Sequence, residues 1–356
     1  MADPDAPLSA LGERAIIRDL LKTRYGRGRA EFGDDCATVS RLGDRWLVAT
    51  TDPAPKPVAW TLGTEDYYHW GWLLAAINLS DIAAAGATPT GMLTSLTLAN
   101  SVTVGEFERL LDGIDDCCRR SSTSVIGGNL REAALKDKVW CEATAFGFTK
   151  TRPPFSRRGA SPGDALVALG PSGHFWSALL LSEKGSGDVQ PWMTDALLYP
   201  QPQVQLGRLL HNAALPTACT DASDGLYAAV AGLTVEQGLG CVLDSDAWEP
   251  SLTTQEAARN LKIDPRRLVL GFGDLQLVCA LPARHVEDVR AAAASVGTDF
   301  LLLGTVLAGA AIEITVEGRT RPLSNFDNER FTADSQFTAG IRGYRNRLLE
   351  TPLQRL

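Results

Sequence analysis

The sequence predicts a protein of two α/β domains in tandem, and three observations carry that prediction. Its 356 residues suffice for two ordinary domains, and a composition 45% hydrophobic and 21% charged suits a chain that buries a sizeable core. Apolar runs at helical spacing alternate with short strand-like runs along the whole length. Near the middle, Thr149 to Asp164 gathers Pro153, Pro154, Gly159, Pro162 and Gly163 with Lys150, Arg152, Arg157 and Arg158, which reads as an interdomain connection. The first domain is placed at residues 1–150 and the second at 151–356.

The elements follow in chain order. Leu11, Ala15, Ile16, Leu20 and Leu21 form an amphipathic pattern that predicts an opening helix. Gly33 to Ala37 is a loop leading into a strand, and Trp46 to Asp52 is an apolar strand ending in two hydroxyls and a carboxylate. Pro53, Pro55 and Pro57 then exclude regular structure. Trp70, Leu73, Leu74 and Ile77 begin a helix that continues to Ala85 and places Asn78 and Asp81 on one face. Thr103 and Glu106 have the spacing of a capping box, with Phe107, Leu110, Leu111 and Ile114 at helical spacing behind it. Ser124 to Asn129 is expected as a short buried strand, and Lys138 to Thr149 as a long one. The second half opens with a strand at Ala165 to Leu169 and holds helices at Phe175 to Lys184, Val204 to Ala214 and His285 to Val296.

Composition excludes several classes of function. A net charge of −8 without any basic run argues against a nucleic-acid partner. No apolar run has membrane-spanning length, and the first residues lack the basic and apolar regions of a signal peptide, so a cytoplasmic protein without a membrane partner is expected. Seven cysteines without a Cys-x-x-Cys spacing indicate neither a zinc site nor a disulfide framework, and predict buried thiols. The four histidines share no metal-ligand spacing.

What remains is acidic. Asp35, Asp52, Asp81, Asp221 and Asp224 each stand where a predicted element meets a loop, beside small or hydroxylic residues. Asp81 is the most telling, because a carboxylate inside an apolar helix needs a hydrogen-bonding, ionic or metal partner. Converging, such oxygen ligands would suit Mg²⁺, which prefers a few carboxylates together with substrate phosphates. Scattered, they would be ordinary loop aspartates, Asp-Gly being a common turn dipeptide. The pair Gly127-Gly128 would let a phosphate approach the main chain, or simply make a tight turn.

In their order, Gly33-Asp-Asp-Cys-Ala37, Thr50-Thr-Asp52, Asn78-Leu-Ser-Asp-Ile-Ala-Ala-Ala-Gly-Ala87, Gly127-Gly-Asn129, Arg157-Arg-Gly-Ala160, Pro162-Gly-Asp164 and Asp221-Ala-Ser-Asp-Gly-Leu226 resemble the thiamine-monophosphate kinases. These belong to one superfamily with aminoimidazole ribonucleotide synthetase, selenophosphate synthetase and the hydrogenase-maturation dehydratase. The resemblance implies the two-domain α/β (α+β) fold of that synthetase, with the N-terminal domain forming a homodimer interface, and ATP with several Mg²⁺ ions in the cleft between the domains. It implies metal ligation by Asp35, Thr50, Thr51, Asp52, Asp81, Asp221 and Asp224. Of these, Asp81 and Asp224 are assigned as catalytic, and Gly127, Gly128, Asn129, Arg157 and Ser223 as nucleotide contacts.

Two departures shape the expected function. Asn129 stands where the kinases have a metal-binding aspartate, and an amide oxygen still coordinates Mg²⁺ but brings no charge. On the substrate side, Ala59 replaces a histidine, and Gly271-Phe-Gly-Asp-Leu-Gln-Leu277 replaces Gly-Gly-Glu-Asp-Tyr-Glu-Leu, so the substrate glutamate becomes Gly273 and only Asp274 of three acids remains. The expectation is a Mg-ATP-dependent phosphotransferase acting on another small-molecule acceptor. Its rivals are ATP activation of an amide or carbonyl oxygen, as in the synthetase and dehydratase, and a nucleotide-binding relative without catalysis.

Overall fold

The computed structural model describes residues 7–26, 32–185 and 189–355. Two sheets organise it, and one buried helix lies between them. The chain opens with a helical stretch, α1 (Glu13–Ala15), a wide turn of π-helix (Ile16–Leu21) and α2 (Lys22–Tyr25). The predicted opening helix is thus present, but it buries none of its side chains, because it lies over a cleft rather than on a core.

The first sheet is formed by β1 (Ala37–Leu42), β2 (Arg45–Pro53), β3 (Thr88–Leu98), β4 (Val125–Glu132) and β5 (Val139–Lys150), in the order β1-β2-β5-β3-β4. Between its strands run α3 (Tyr67–Ala84) and α4 (Val104–Arg120). The Thr103 hydroxyl accepts from the Glu106 N–H at 3.2 Å and the Glu106 carboxylate from the Thr103 N–H at 2.8 Å, so the capping box starts α4 as its spacing predicts. Glycines let the two helices touch: a Cβ on Gly71 would fall 2.0 Å from the Leu110 carbonyl oxygen, and one on Gly113 would fall 1.9 Å from that of Tyr68. Any side chain at either position would force the helices apart.

The second sheet holds seven strands in the order β12-β11-β8-β10-β6-β9-β7. In chain order its elements are β6 (Asp164–Leu169), α5 (His174–Lys184), α6 (Pro191–Leu198), α7 (Val204–Ala213), β7 (Ala218–Asp221), α8 (Leu226–Leu233) and β8 (Leu239–Asp244). They continue with α9 (Leu252–Leu261), α10 (Pro265–Leu270), β9 (Leu277–Pro282), α11 (Val286–Ser295), β10 (Phe300–Ala308), β11 (Ile312–Val316), β12 (Arg319–Pro322) and α12 (Gln336–Glu350). α7 crosses α3 closely at Gly207, where a Cβ would fall 2.2 Å from the Ala83 carbonyl oxygen. One hydrophobic cluster therefore runs from Val48 and Leu79 through Leu206 to Leu277.

α3 is enclosed by β2 and β5, by α4, and by α7 and β7, which is why it is apolar on every side rather than on one. One expectation fails in this region. The strand at Ser124 to Asn129 was expected to be buried; β4 is solvent-exposed along its whole length, because it is an edge strand and among the described residues no helix buries it. All seven cysteines are free and buried. Among the described residues no helix is long and apolar enough to cross a membrane.

Candidate active site

The site grows from the ends of β2, α3 and β7. Asn78 lies one turn before Asp81 on the same face of α3, and its side-chain amide accepts from the Asp52 N–H and donates to the Asp52 carbonyl, both at 3.1 Å. This reciprocal pair fixes where β2 ends, and so where Asp52 stands. Thr50 lies on the same strand face as Asp52 and donates its hydroxyl to Asp81 at 2.5 Å. From the second sheet β7 brings Asp221, whose two oxygens accept from Ser80 at 2.7 Å and from Ser223 at 3.0 Å. Asp35, before β1, accepts from Thr220 at 3.0 Å and pairs with Arg157.

Carboxylate oxygens of Asp35, Asp81 and Asp221 lie within 4.8 Å of one another, a cluster that could hold a metal ion. Like charges this close and this shielded from water raise one another's pKa. Burial pushes Asp81 well above the usual carboxylate range, and Asp221, Asp52 and Asp35 push it further. Burial, then Asp35, raises Asp221 to about 7, and burial raises Asp224 to about 6. Asp52 is raised too, chiefly by burial. Arg157 offsets part of this charge: burial works against its guanidinium, and Asp35 and Asp221 more than compensate. A divalent cation would relieve the same repulsion, so this donor set fits Mg²⁺.

These groups line a cleft of about 730 Å³ between the two sheets, to which Asp52, Ser223 and Asp224 also contribute. Not every candidate residue meets it in the expected way. Thr51 alternates to the opposite face of β2 and gives its hydroxyl to the Ala143 carbonyl at 3.0 Å, leaving only its main chain for the cleft. Gly127, Gly128 and Asn129 do not line the cleft of their own chain. Gly128 shares a row with Asp52 through Thr94 and Ala143, three strands away, or roughly 14 Å at ordinary strand spacing.

The altered substrate block is filled by protein. Gly273 has a φ of 112°, and a Cβ there would fall 2.4 Å from Cγ of Phe175, so the space of a side chain is taken by an aromatic ring. Asp274, the remaining acid, is not directed at a substrate: it accepts from the N–H groups of Gly173 at 2.6 Å and Phe175 at 2.8 Å, at the start of α5. The Gln276 amide is buried and donates to Ser172 at 3.0 Å. Ala59, where the histidine is absent, is also buried.

Other residues at the site were assigned no role from the sequence. Glu13 and Arg14, from α1, meet Glu329 and Arg330 near the other end of the chain: Arg14 pairs with Asp327 and Glu236, and Arg330 with Glu13 at 3.2 Å. Ser80 and Thr220 could have been suspected as hydroxyls flanking Asp81 and Asp221. Nothing local marks Arg330.

Comparison with known proteins gives a consistent result. A family model described as AIR synthase related protein, N-terminal domain, matches residues 33–149, and that for the C-terminal domain matches residues 161–317. The thiamine-monophosphate kinase of Halobacterium salinarum is 31% identical over 303 residues, 84% of this chain and 94% of that protein. A solved structure described as AaThiL complexed with AMPPCP and TMP superposes with a TM-score of 0.74 at 24% identity, covering 89% of this chain and 99% of that one. The same fold extends to a HypE-HypF complex, with a TM-score of 0.69 at 16% identity over 87% of this chain and 99% of that one.

Proposed function

The chain belongs to the AIR synthase related family as a thiamine-monophosphate kinase-like, ATP-dependent enzyme, and from that premise we propose that it phosphorylates a small molecule other than thiamine monophosphate. Asp35, Thr50, Asp52, Asp81, Asp221 and Asp224, with the main chain of Thr51, would hold Mg²⁺, and Arg157 and Ser223 would meet the nucleotide. The ions, when bound, neutralise charge spread over the phosphoryl oxygens. The rest is the work of this chain. β2, α3 and β7 hold the carboxylates in place beforehand, Asn78 fixes Asp52, and Ser80, Thr50 and Thr220 keep the carboxylate oxygens oriented. The assignment needs no side-chain nucleophile.

The acceptor reading is carried by one observation, that the Phe175 ring occupies the space a side chain at Gly273 would need. An acidic group that could complement a cationic thiazolium is missing there and has no room to return. Gly127, Gly128 and Asn129 enter this reading through a dimer: on the far edge of the sheet, they would meet a nucleotide in the partner's cleft.

The test is to give the protein Mg-ATP and thiamine monophosphate and follow ADP and thiamine diphosphate together. We expect Mg²⁺-dependent nucleotide binding with thiamine diphosphate forming far below about 1 per second, the low end of ordinary enzyme turnover. Formation at that rate or faster would restore the plain kinase. With an acceptor in hand, a phosphorylated product supports phosphotransfer, and free phosphate supports the synthetase or dehydratase type.

A further inference from the structure

The second family match ends at residue 317, yet the chain continues and sends four residues, Glu329, Arg330, Gln336 and Phe337, back to the cleft. The segment that does so is rigidly placed. Leu323 bridges to Gln354, the Phe326 carbonyl accepts from the Tyr344 hydroxyl at 2.9 Å, and the Asn328 side chain accepts from the Gln336 N–H at 2.8 Å. Phe326, Asp327 and Asn328 are buried. What this strap presents to the cleft is Glu329 and Arg330, of which Arg330 is the cation.

Arg330 is held by its back and one edge. Its carbonyl accepts from the Glu13 N–H at 3.1 Å, its Nη1 donates to the Glu13 carboxylate at 3.2 Å, and its guanidinium lies 5.0 Å from the centre of the Phe337 ring. Among the described residues Glu13 is the one hydrogen-bond acceptor of its side chain, so most of its five N–H donors are not used by those residues. Burial opposes its charge, but Asp224, Glu13 and Asp52 more than offset burial. Arg330 lines the same cleft as Asp52 and Asp224, so a planar cation shares that space with two of the carboxylates. Were those carboxylates to hold metal, phosphate oxygens would satisfy the guanidinium, whose fork fits them in bidentate fashion.

We propose that Arg330 contacts the terminal phosphate of the bound nucleoside triphosphate and gives the cleft its preference for ATP over ADP. This rests on the Mg-ATP reading above. The bland competitor is a clasp, in which Arg330 does no more than tie the two chain ends together through Glu13.

Calorimetric titration of the full chain in Mg²⁺, with the β,γ-methylene analogue of ATP and with ADP, separates the two. Arg330→Met should weaken the analogue by about ten- to a hundredfold, the worth of a charged hydrogen bond, and ADP by less than about threefold. Arg330→Lys, which keeps charge but loses the fork, should fall between. Glu13→Gln should leave the preference in place. Equal loss for both nucleotides in Arg330→Met, or no loss for either, overturns the proposal, as does Glu13→Gln abolishing the preference. Should Arg330→Met fail to fold, Arg330→Lys decides: a preference reduced by more than about threefold supports the contact, and an unchanged one overturns it. Wild type binding neither nucleotide would remove the phosphotransferase reading itself, an outcome distinct from wild type binding both while the variant loses them in parallel.

Discussion

Asp81 is only 7% exposed and shares its surroundings with three other carboxylates, so in the absence of a cation the folded state favours protons on this cluster. The consequence for stability has a definite sign. Asp221 at about 7 and Asp224 at about 6 lie above the unfolded value of 3.8, so between those limits the native state binds more protons than the unfolded one. Their contribution to stability is fully present below pH 3.8 and is lost as pH rises through 6 and 7. For Asp224 alone the loss is on the order of 3 kcal/mol. With EDTA present, the melting temperature should therefore fall from pH 5 to pH 8, and Mg²⁺ should restore it most at pH 8, where the ligands are deprotonated. Asp81→Asn removes one repelling charge and one proposed ligand together. It should melt at or above wild type without metal, yet show little further shift with Mg²⁺ and ATP. A metal-free melting temperature that rises toward pH 8 would overturn the protonated cluster, and an undiminished shift in the variant would rule Asp81 out as a ligand.

α5 begins without a capping side chain of its own, and Asp274 reaches in from the loop before β9 to take its first N–H groups. That arrangement decides what the remaining acid of the substrate block does. Asp274→Ala should lower stability by about 1–2 kcal/mol, as loss of a helix cap does, seen as a melting temperature lower by a few degrees. Nucleotide affinity should stay within about twofold of wild type. Were the variant to melt like wild type and lose turnover instead, Asp274 would have to be a substrate group. Capping at α4 was visible beforehand, since Thr103 and Glu106 are three residues apart; capping at α5 was not, since Asp274 is 101 residues from Gly173.

At the scale of the whole molecule the unfinished feature is the β4 side of the first sheet. Ile126 and Leu130 are each 60% exposed on β4 and Trp140 is 53% exposed on β5. An edge strand with apolar side chains open to water invites pairing with another chain. A second copy would satisfy it symmetrically, and the same contact would carry Gly127 to Asn129 toward a partner. Light scattering should find a dimer at micromolar concentration, and Ile126→Lys with Leu130→Lys should yield monomers that keep the wild-type circular dichroism. Wild type monomeric across that range would remove the dimer, and with it a role for Asn129 in the partner's cleft.

The acidic residues were legible in the sequence because each stands in a short block whose neighbours are constrained by local geometry. Helical spacing puts Asn78 and Asp81 on one face, and strand alternation puts Thr50 and Asp52 on another. The succession of helices and strands was legible for the same reason, since periodicities of 3.6 and 2 are properties of neighbouring residues. What the tertiary structure alone decided is which distant groups meet. Asp35 pairs with Arg157 across 122 residues and Glu13 with Arg330 across 317; the exposure of β4 depends on its place at the edge of a sheet. Such contacts are set by strand order, register and the packing of α3 against both sheets, and no spacing along the chain records them. Phe175 at the position left open by Gly273 is the sharpest case. The sequence by itself shows that a side chain is missing there; only the folded chain shows that an aromatic ring has taken its space.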